Sequence, residues 1–422
     1  MTDVDTTSTG VRQGSVGGPV APGFEPVRDL LAASLADLGD GGAAYAAYHR
    51  GRLVVDLWAG DAEPAGAGGG AARPWAAETT APFMSTTKAV VALCLQMLHD
   101  RGVVDVFSPV STYWPEFAAA GKADITVAQV LSHTSGVMGS PELTALIDLE
   151  TGAGHERSED IATALAAAEP MWTPGTAAGY HTTSYGFMLA EVIRRVDGRN
   201  LGDFFREEVA LPLGVPDLRI GTPADEHDKI ATVLPLMWPA SMPPEITTYS
   251  EWFLAQCRDE TTPAGVSCLA RGGVGTLDRL PEIFNSRYGR EPALGSSNLT
   301  GPARSVARVF AAIVEPGGLD GVRLASAESL ELFTRTHESR TDSTMGLPLA
   351  RGLGYSLNQP LTPRPPTMGP NPQAFGHSGI GGQLGFADPV ARVGVAFVRS
   401  HYTVFPVLPM MLHAALYQCL PA

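Results

Sequence analysis

Ser85-Thr86-Thr87-Lys88 runs directly into ten successive residues, Ala89 to Leu98, of which only Gln96 is polar. A helix that is apolar on nearly every face has no side to show to water, so it must lie centrally with other elements packed around it. Gly102 supplies a stop, and the helix is predicted to run from Ser85 to about Arg101. Ser85 and Lys88 stand three residues apart, on one helical face, within hydrogen-bonding reach of each other. The first turn also gathers unpaired N–H groups and the positive end of the helix dipole, which favour negative charge developing in acyl transfer. A lone Ser-x-x-Lys arises by chance, and a capping serine before a solvated lysine is the plain alternative. Lysine usage adds weight: of 29 basic residues only Lys88, Lys122 and Lys229 are lysines. Accepting a proton is a task arginine cannot take over.

At 422 residues the chain is long enough for two or three domains around a large core. A net charge of −15 with no cluster of cations argues against nucleic acid or an anionic membrane surface as partner. No apolar run reaches the roughly 18 residues a membrane span needs. Met1 to Gly23 has neither a basic n-region nor an apolar h-region, so a flexible tail and a cytoplasmic protein are expected. Cys94, Cys257, Cys268 and Cys419 form no Cys-x-x-Cys pair and suit buried thiols. The ten histidines form no His-Glu-x-x-His pair, and no metal or cofactor is called for.

Pro26 to Leu38 has helical spacing, and Ala43–His49 with Leu53–Ala59 reads as a hairpin around Arg50-Gly51-Arg52. Asp61 to Arg73 reads as a loop. Helices are predicted over Thr126–Gly136, Asp160–Ala168, Thr183–Val196, Leu201–Leu211, Ala303–Val314, Ala327–Arg335 and Pro406–Leu420. Strands are predicted at Gly352–Leu357, Ala374–His377, Gln383–Ala387 and Val393–Arg399. Ile220 to Asn298 is proline-rich without a clear period, the kind of insertion that shapes a binding site. The fold class is therefore α/β (α+β): an antiparallel sheet built from both chain ends, flanked by helices, with an inserted mainly helical domain. The expected units are a tail at 1–23, a discontinuous sheet domain at 24–84 plus 300–422, and a helical domain at 85–299 that contains the substrate-shaping segment 220–298.

A serine nucleophile needs a group to take its proton, one to protonate the leaving group, and donors for the oxyanion. Pro174-Gly175-Thr176-Ala177-Ala178-Gly179-Tyr180-His181-Thr182 delivers Tyr180 and Thr182 on a turn just before a helix. A cation beside that tyrosine would lower its pKa and let it share protons. Phe375-Gly376-His377-Ser378-Gly379-Ile380-Gly381-Gly382 ends a strand where glycines let a ligand approach the backbone. Ser378 nearly completes a Gly-x-Ser-x-Gly elbow, but Ile380 stands at the last glycine position, so Ser85 is preferred as nucleophile. His133 and Ser135 suggest a second base and nucleophile. A helix C-terminus held by side-chain hydrogen bonds is the better reading of that pair.

Taken together, the chain resembles the serine β-lactamase and penicillin-binding-protein superfamily, class C β-lactamases and family VIII carboxylesterases above all. Ser85-Thr86-Thr87-Lys88 matches the Ser-x-x-Lys box, Tyr180-His181-Thr182 stands at Tyr-x-Asn, and His377-Ser378-Gly379 at Lys-Thr-Gly. Val130-Leu131-Ser132-His133-Thr134-Ser135-Gly136 and Gly385-Phe386-Ala387-Asp388-Pro389 add to the likeness. The resemblance implies an acyl-enzyme on Ser85, with Lys88 and Tyr180 as base and acid in either order, and an oxyanion hole from the N–H groups of Ser85 and Ile380. It also implies substrate contacts at Thr182, His377, Ser378 and Gly379. Thr182 stands where an asparagine would bond substrate and lysine, making that contact shorter and weaker. His377 stands where a lysine would hold a carboxylate, which a neutral imidazole does poorly. The expected substrate is a small-molecule ester, making the chain a carboxylesterase. An acyltransferase, a β-lactamase or D-Ala-D-Ala peptidase, and a non-catalytic binding protein of the same fold are the alternatives.

Overall fold

Alternation along the first long strand settles how the layers stack. In Gly42–His49, Ala43, Tyr45 and Ala47 point to one face of the sheet, and Ala44, Ala46 and Tyr48 to the other; all are buried. A strand buried on both faces must be covered from both sides. The computed structural model, which describes residues 15–67, 69–237, 244–359, 366–403 and 406–421, shows what covers it.

The main sheet has eight strands: β1 (Val16–Gly17), β2 (Gly42–His49), β3 (Arg52–Glu63), β4 (Arg73–Pro74), β5 (Ser356–Leu357), β6 (Phe375–Ser378), β7 (Leu384–Asp388) and β8 (Val393–Arg399). Their order is β1-β3-β2-β8-β7-β6-β5, with β4 on β3, and every pairing is antiparallel. The two chain ends meet in the centre, where Val395 faces Ala47 and Phe397 faces Tyr45. One face carries the helices Glu25–Ala33 and Val407–Cys419, through Val27, Leu31, Leu408, Leu412 and Leu416. The other carries Ala303–Val314 and, beyond it, the helical body of the chain. That helix sits directly on β8 because Gly394 has no side chain: a Cβ there would lie 2.3 Å from the Ala311 nitrogen.

The buried helix spans Thr87–Asp100, with every residue from Thr87 to Leu98 inside the protein. It lies among the helices Val127–Leu131, Ser158–Ala167 and Ser184–Asp197. Thr126 and Gln129 form a reciprocal capping box on the first of these. Where the chain leaves the sheet and returns, Ala81–Pro82 and Arg219–Ile220 flank Leu299–Gly301 in a small sheet of their own.

Five expectations change. The Thr126–Gly136 helix covers only Val127–Leu131, ending at Ser132 before His133 takes a φ of 62°. The tail reading does not extend to Gly23: Val16–Gly17 pair with Trp58 and Ala59, and Val20 bridges Val55, while residues 1–14 lie outside the described residues. The Asp61–Arg73 loop is shorter, because β3 continues to Glu63 and Arg73–Pro74 folds back on it. The Gly352–Leu357 strand shrinks to Ser356–Leu357, since Gly354 takes a φ of 82° and breaks the extended run. The loop-rich segment 220–298 also carries helices, Pro244–Gln256, Pro263–Ser267, Leu280–Asn285 and Arg287–Arg290, around a small core of Phe253, Leu277, Leu280 and Phe284. Helices of four to six residues are too short to display a period. Trp238, in the same segment, lies outside the described residues.

Candidate active site

Ser85 sits in the tight turn that feeds the Thr87–Asp100 helix, and the three residues around it each fix that turn. Met84 takes a φ of 47°, an unusual conformation for a residue with a side chain. Thr87 Oγ1 donates to the Met84 carbonyl at 2.6 Å and accepts from the Leu299 amide at 2.9 Å. Thr86 Oγ1 donates to the His377 carbonyl at 3.0 Å, tying the serine turn to strand β6. Both threonines of the Ser-Thr-Thr-Lys run are therefore structural, which leaves Ser85 on one side of them facing the cleft and Lys88 on the other buried behind it.

Lys88 is fully buried, with Ser85 Oγ at 3.3 Å, the Thr182 carbonyl at 2.9 Å and the Ser296 carbonyl at 3.1 Å from Nζ. Among the described residues it has no ion-pair partner. Burial, with a smaller push from the Arg351 cation, holds its pKa well below the ordinary lysine value. In its deprotonated form, which burial favours, the amine has two hydrogens and one lone pair. With the two carbonyls taking the hydrogens, the lone pair is left facing the Ser85 hydroxyl, the arrangement a general base requires. The Ser296 carbonyl reaches Lys88 because Gly295 lies against Gly186 on the Ser184–Asp197 helix; a Cβ on Gly186 would lie 2.2 Å from the Ser296 nitrogen. Ser296 Oγ closes this contact, donating to the Thr183 carbonyl and accepting from Gly186 N.

Tyr180 comes to the same place. Its ring centroid is 4.9 Å from Lys88 Nζ, and the Ser85 hydroxyl is close enough to pull on its pKa. The expected lowering of its pKa is reversed: burial raises it, outweighing the pull of the Ser85 hydroxyl and of the Arg351 charge. The phenol is thus a proton donor at rest. Thr182 also departs from expectation. Its carbonyl, not its side chain, meets Lys88, while its hydroxyl accepts from Cys268 Sγ at 3.7 Å and its amide donates to Ser267 Oγ at 2.5 Å.

His377 is buried, its Nδ1 bonded to the Ser378 carbonyl at 2.7 Å, and burial next to Lys88 lowers its pKa to about 3. It is a neutral imidazole beside the Tyr180 ring, 5.8 Å centroid to centroid. Ser378 is exposed to the cleft at the end of β6, and the chain turns into strand β7 instead of a helix, so no nucleophile elbow forms there. Gly379 packs on the serine turn, where a Cβ would lie 2.6 Å from the Phe83 carbonyl. Among the described residues neither the Ser85 nor the Ile380 amide is used in a well-formed backbone hydrogen bond, and both residues line the cleft.

His133 and Ser135 are not a second catalytic pair. His181 N donates to His133 Nδ1 at 3.1 Å, His181 Nδ1 bonds the Gly179 carbonyl at 2.7 Å, and Ser135 Oγ bonds His181 Nε2 at 2.8 Å. This buried network clamps the Tyr180 loop from behind. Lys122 tempers the argument from lysine scarcity. It is buried too, donating to the carbonyls of Ala119, Ala166 and Ala168 at 2.8, 2.9 and 2.5 Å, a structural task that suits a compact ammonium.

Two residues of the site went unread in the sequence. Asp342 is fully buried; its Oδ1 accepts from the amides of Tyr180, Thr344 and Met345 at 3.1, 2.9 and 2.8 Å. Its Oδ2 lies 2.6 Å from Arg351 Nη1, and the Arg351 guanidinium stands 5.5 Å over the Tyr180 ring. The Asp342-Ser343-Thr344 run does carry an Asx-turn signal, but that signal is local and says nothing of Tyr180.

Ser85, Tyr180, Thr182, His377, Ser378, Gly379 and Ile380 all line one cleft of about 270 Å³, whose far wall is apolar and comes from the 220–298 segment: Tyr249, Phe253, Leu277, Leu280, Phe284.

Comparison with known proteins agrees with this geometry. The family model described as Beta-lactamase matches residues 27–403. The chain is 32% identical over 403 residues to the esterase/beta-lactamase LipL of Mycobacterium tuberculosis, covering 94% of this chain and 85% of that one. Among solved structures, a family VIII carboxylesterase superposes with a TM-score of 0.80 at 34% identity, covering 96% of this chain and all of that one. A penicillin-binding-protein homologue from Caulobacter crescentus superposes with a TM-score of 0.80 at 32% identity over the same share of this chain. No helix among the described residues is long and apolar enough to cross a membrane. With a model match across most of its length, the chain belongs to the Beta-lactamase family.

Proposed function

We propose that this chain is a serine carboxylesterase that cleaves small neutral esters through an acyl-enzyme on Ser85. The observation that carries the reading is the buried Lys88 amine, whose two carbonyl partners leave its lone pair for the Ser85 hydroxyl. Lys88 takes the serine proton as Oγ attacks the ester carbonyl. The N–H groups of Ser85 and Ile380 receive the oxyanion. Tyr180, a phenol beside Ser85, passes a proton to the departing alcohol, and water then enters by the reverse route to release the acid. Thr182 acts through its carbonyl on Lys88, and His377, Ser378 and Gly379 form the wall beside the reacting ester. The sheet unit 24–84 plus 300–422 supplies His377 to Ile380, and the helical unit 85–299 supplies Ser85, Lys88 and Tyr180. Neutral substrates are favoured because, among the described residues, the cleft lining offers no unpaired cation for a carboxylate: Arg351 is engaged by Asp342, and His377 is uncharged. The two homologues named above as esterases support the reaction class.

The test is hydrolysis of p-nitrophenyl acetate and butanoate, with intact-mass detection of a fluorophosphonate adduct. Wild-type protein hydrolyses the esters and takes up one adduct. Ser85→Ala and Lys88→Met lose turnover by about 10³-fold or more. Full activity in folded Ser85→Ala protein would sink the proposal.

A further inference from the structure

The cleft has a floor, and a second cavity lies behind it. That cavity, of about 630 Å³, is lined by charged groups including Glu156, Glu191, Arg194, Arg206 and Arg219. Among the described residues, His155 and Phe187 line both spaces. Their rings are stacked, 6.4 Å between centroids at an interplanar angle of 26°. One helix runs past the partition. On Ser184–Asp197, the residues Phe187, Ala190, Glu191 and Arg194 face the second cavity, the i, i+3, i+4, i+7 stripe of a single helical face, while Thr183 just ahead of the helix faces the cleft. From Thr183 to Phe187 the helical rise is about 6 Å, a distance a short acyl chain fills and a fatty tail overruns. Beyond it the second cavity also has apolar wall, from Ala190, Leu201, Ile220 and Ala293, along which a longer alkyl chain can run once the ring is gone.

We propose that Phe187, backed by His155, is the residue that sets how long an acyl chain the cleft accepts, and that removing its ring joins the cleft to the cavity behind. This deepens the esterase reading and rests on it for the identity of the chain that enters. His155 is the fixed half of the partition: it is buried, and its Nδ1 is bonded to the Gly152 carbonyl at 2.6 Å. Phe187 is held by packing alone and is the half that substitution can open. Its place is two residues after Tyr185, a ring buried against Lys88, so the floor is built on the same helix that supports the base.

The experiment has two arms. In the first, kcat/KM is measured for p-nitrophenyl butanoate, octanoate and dodecanoate. Phe187→Ala is expected to raise the octanoate-to-butanoate ratio by about tenfold or more, and Phe187→Trp to lower it. In the second, Ser85→Ala protein binds n-alkanols of increasing length in a calorimeter. Affinity rises about fourfold per methylene until the chain reaches the floor and then levels off, and Phe187→Ala in the same background moves the plateau to longer chains. The second arm needs no turnover, so an inactive wild type counts against the esterase reading while the floor is still judged by binding. Phe187→Leu, a smaller cut, gives the same direction should the alanine variant not fold. A ratio and a plateau that stay where they are in a folded Phe187 variant would overturn the proposal.

Discussion

Arg351→Met is the perturbation that most directly tests how the site is held. In the wild type, Asp342 and Arg351 are both buried, with Oδ2 2.6 Å from Nη1, while Oδ1 holds three amides, that of Tyr180 among them. Taking away the arginine leaves a buried carboxylate whose charge nothing balances, which costs about 3–5 kcal/mol, a large share of the ordinary stability of a folded protein. Asp342→Asn, by contrast, can keep an oxygen toward the three amides, but it turns an amide NH2 toward the guanidinium and loses the ion pair. In the double variant that NH2 faces an uncharged methionine, and no buried charge remains. Its loss is therefore expected to be smaller than the sum of the two single losses by about 2–3 kcal/mol, read from urea denaturation of all four proteins. A second readout separates position from charge. Arg351 pushes the Lys88 pKa down, so its removal raises that pKa and moves the acid limb of kcat/KM to higher pH in both Arg351 variants. Losses that simply add to within about 0.5 kcal/mol, or an acid limb that stays in place, would refute the account of Asp342 and Arg351 as one charge-balanced clamp on Tyr180.

Other outcomes follow from the same geometry. Lys88→Met abolishes turnover yet raises stability by about 1 kcal/mol, because it removes a buried amine. The unfolded chain binds a proton more readily than the folded one here, so this gain is largest in acid and fades as pH rises toward the free-lysine value of about 10.4, measured by denaturation across pH. His377→Gln leaves the shape of the pH–rate profile between pH 5 and 9 unchanged, since an imidazole with a pKa of about 3 does not titrate there; a lost limb would assign His377 the charge denied it above. Thr182→Ala lowers kcat/KM by only about threefold, because the contact with Lys88 is through the backbone, whereas the loss of a lysine-bonding side chain would cost about 10²-fold. Gly394→Ala drives a methyl into the backbone of the Ala303–Val314 helix and lowers stability by about 3 kcal/mol, read from its thermal midpoint.

What the sequence showed of this molecule tracks how local each signal is. The hairpin signal around Arg50-Gly51-Arg52 and the solid apolar run after Lys88 are local properties, and the hairpin, the helix and the burial of that helix came out as read. Ala303–Val314 and Val393–Arg399 were read to the residue, since each is long and regular. The resemblance of Ser85, Tyr180 and His377 to an ordered set of family motifs implied one site, and all three line one cleft. Relations across the fold stayed hidden. Asp342 meets the amide of Tyr180 across 162 positions, and Ser296 meets Lys88 across 208. Neither is marked by composition or spacing. Backbone acceptors are invisible in principle, because every residue has a carbonyl, and so Thr182 was credited with a side-chain contact that its main chain makes. The Tyr180 pKa was misread for a related reason. Counting a neighbouring cation is possible from a motif, but weighing it against desolvation requires knowing how deeply both groups are buried.

The proposed preference for neutral esters and the proposed role of Lys88 are two faces of one electrostatic arrangement. Lys88 works as a base only while it is uncharged, and what keeps it so is burial without an acidic partner. Asp342, a carboxylate bonded to the Tyr180 amide, is kept from acting on that balance by Arg351, which offsets its charge at 2.6 Å. A substrate carrying its own carboxylate into this cleft would restore what the fold has removed: an anion near the amine, which would draw a proton onto Lys88 and take the lone pair away from Ser85. A lysine at position 377 would offset that charge, but His377 has none to offer. An anionic ester therefore loses twice, in binding and in activation of the nucleophile. The two losses separate kinetically: the first raises KM, and the second shifts the acid limb of kcat to higher pH relative to a neutral ester of the same shape. Comparing p-nitrophenyl butanoate with the p-nitrophenyl monoester of succinic acid across pH reads both, and equal limbs for the two substrates would show that the Lys88 proton is governed by something other than the charge in the cleft.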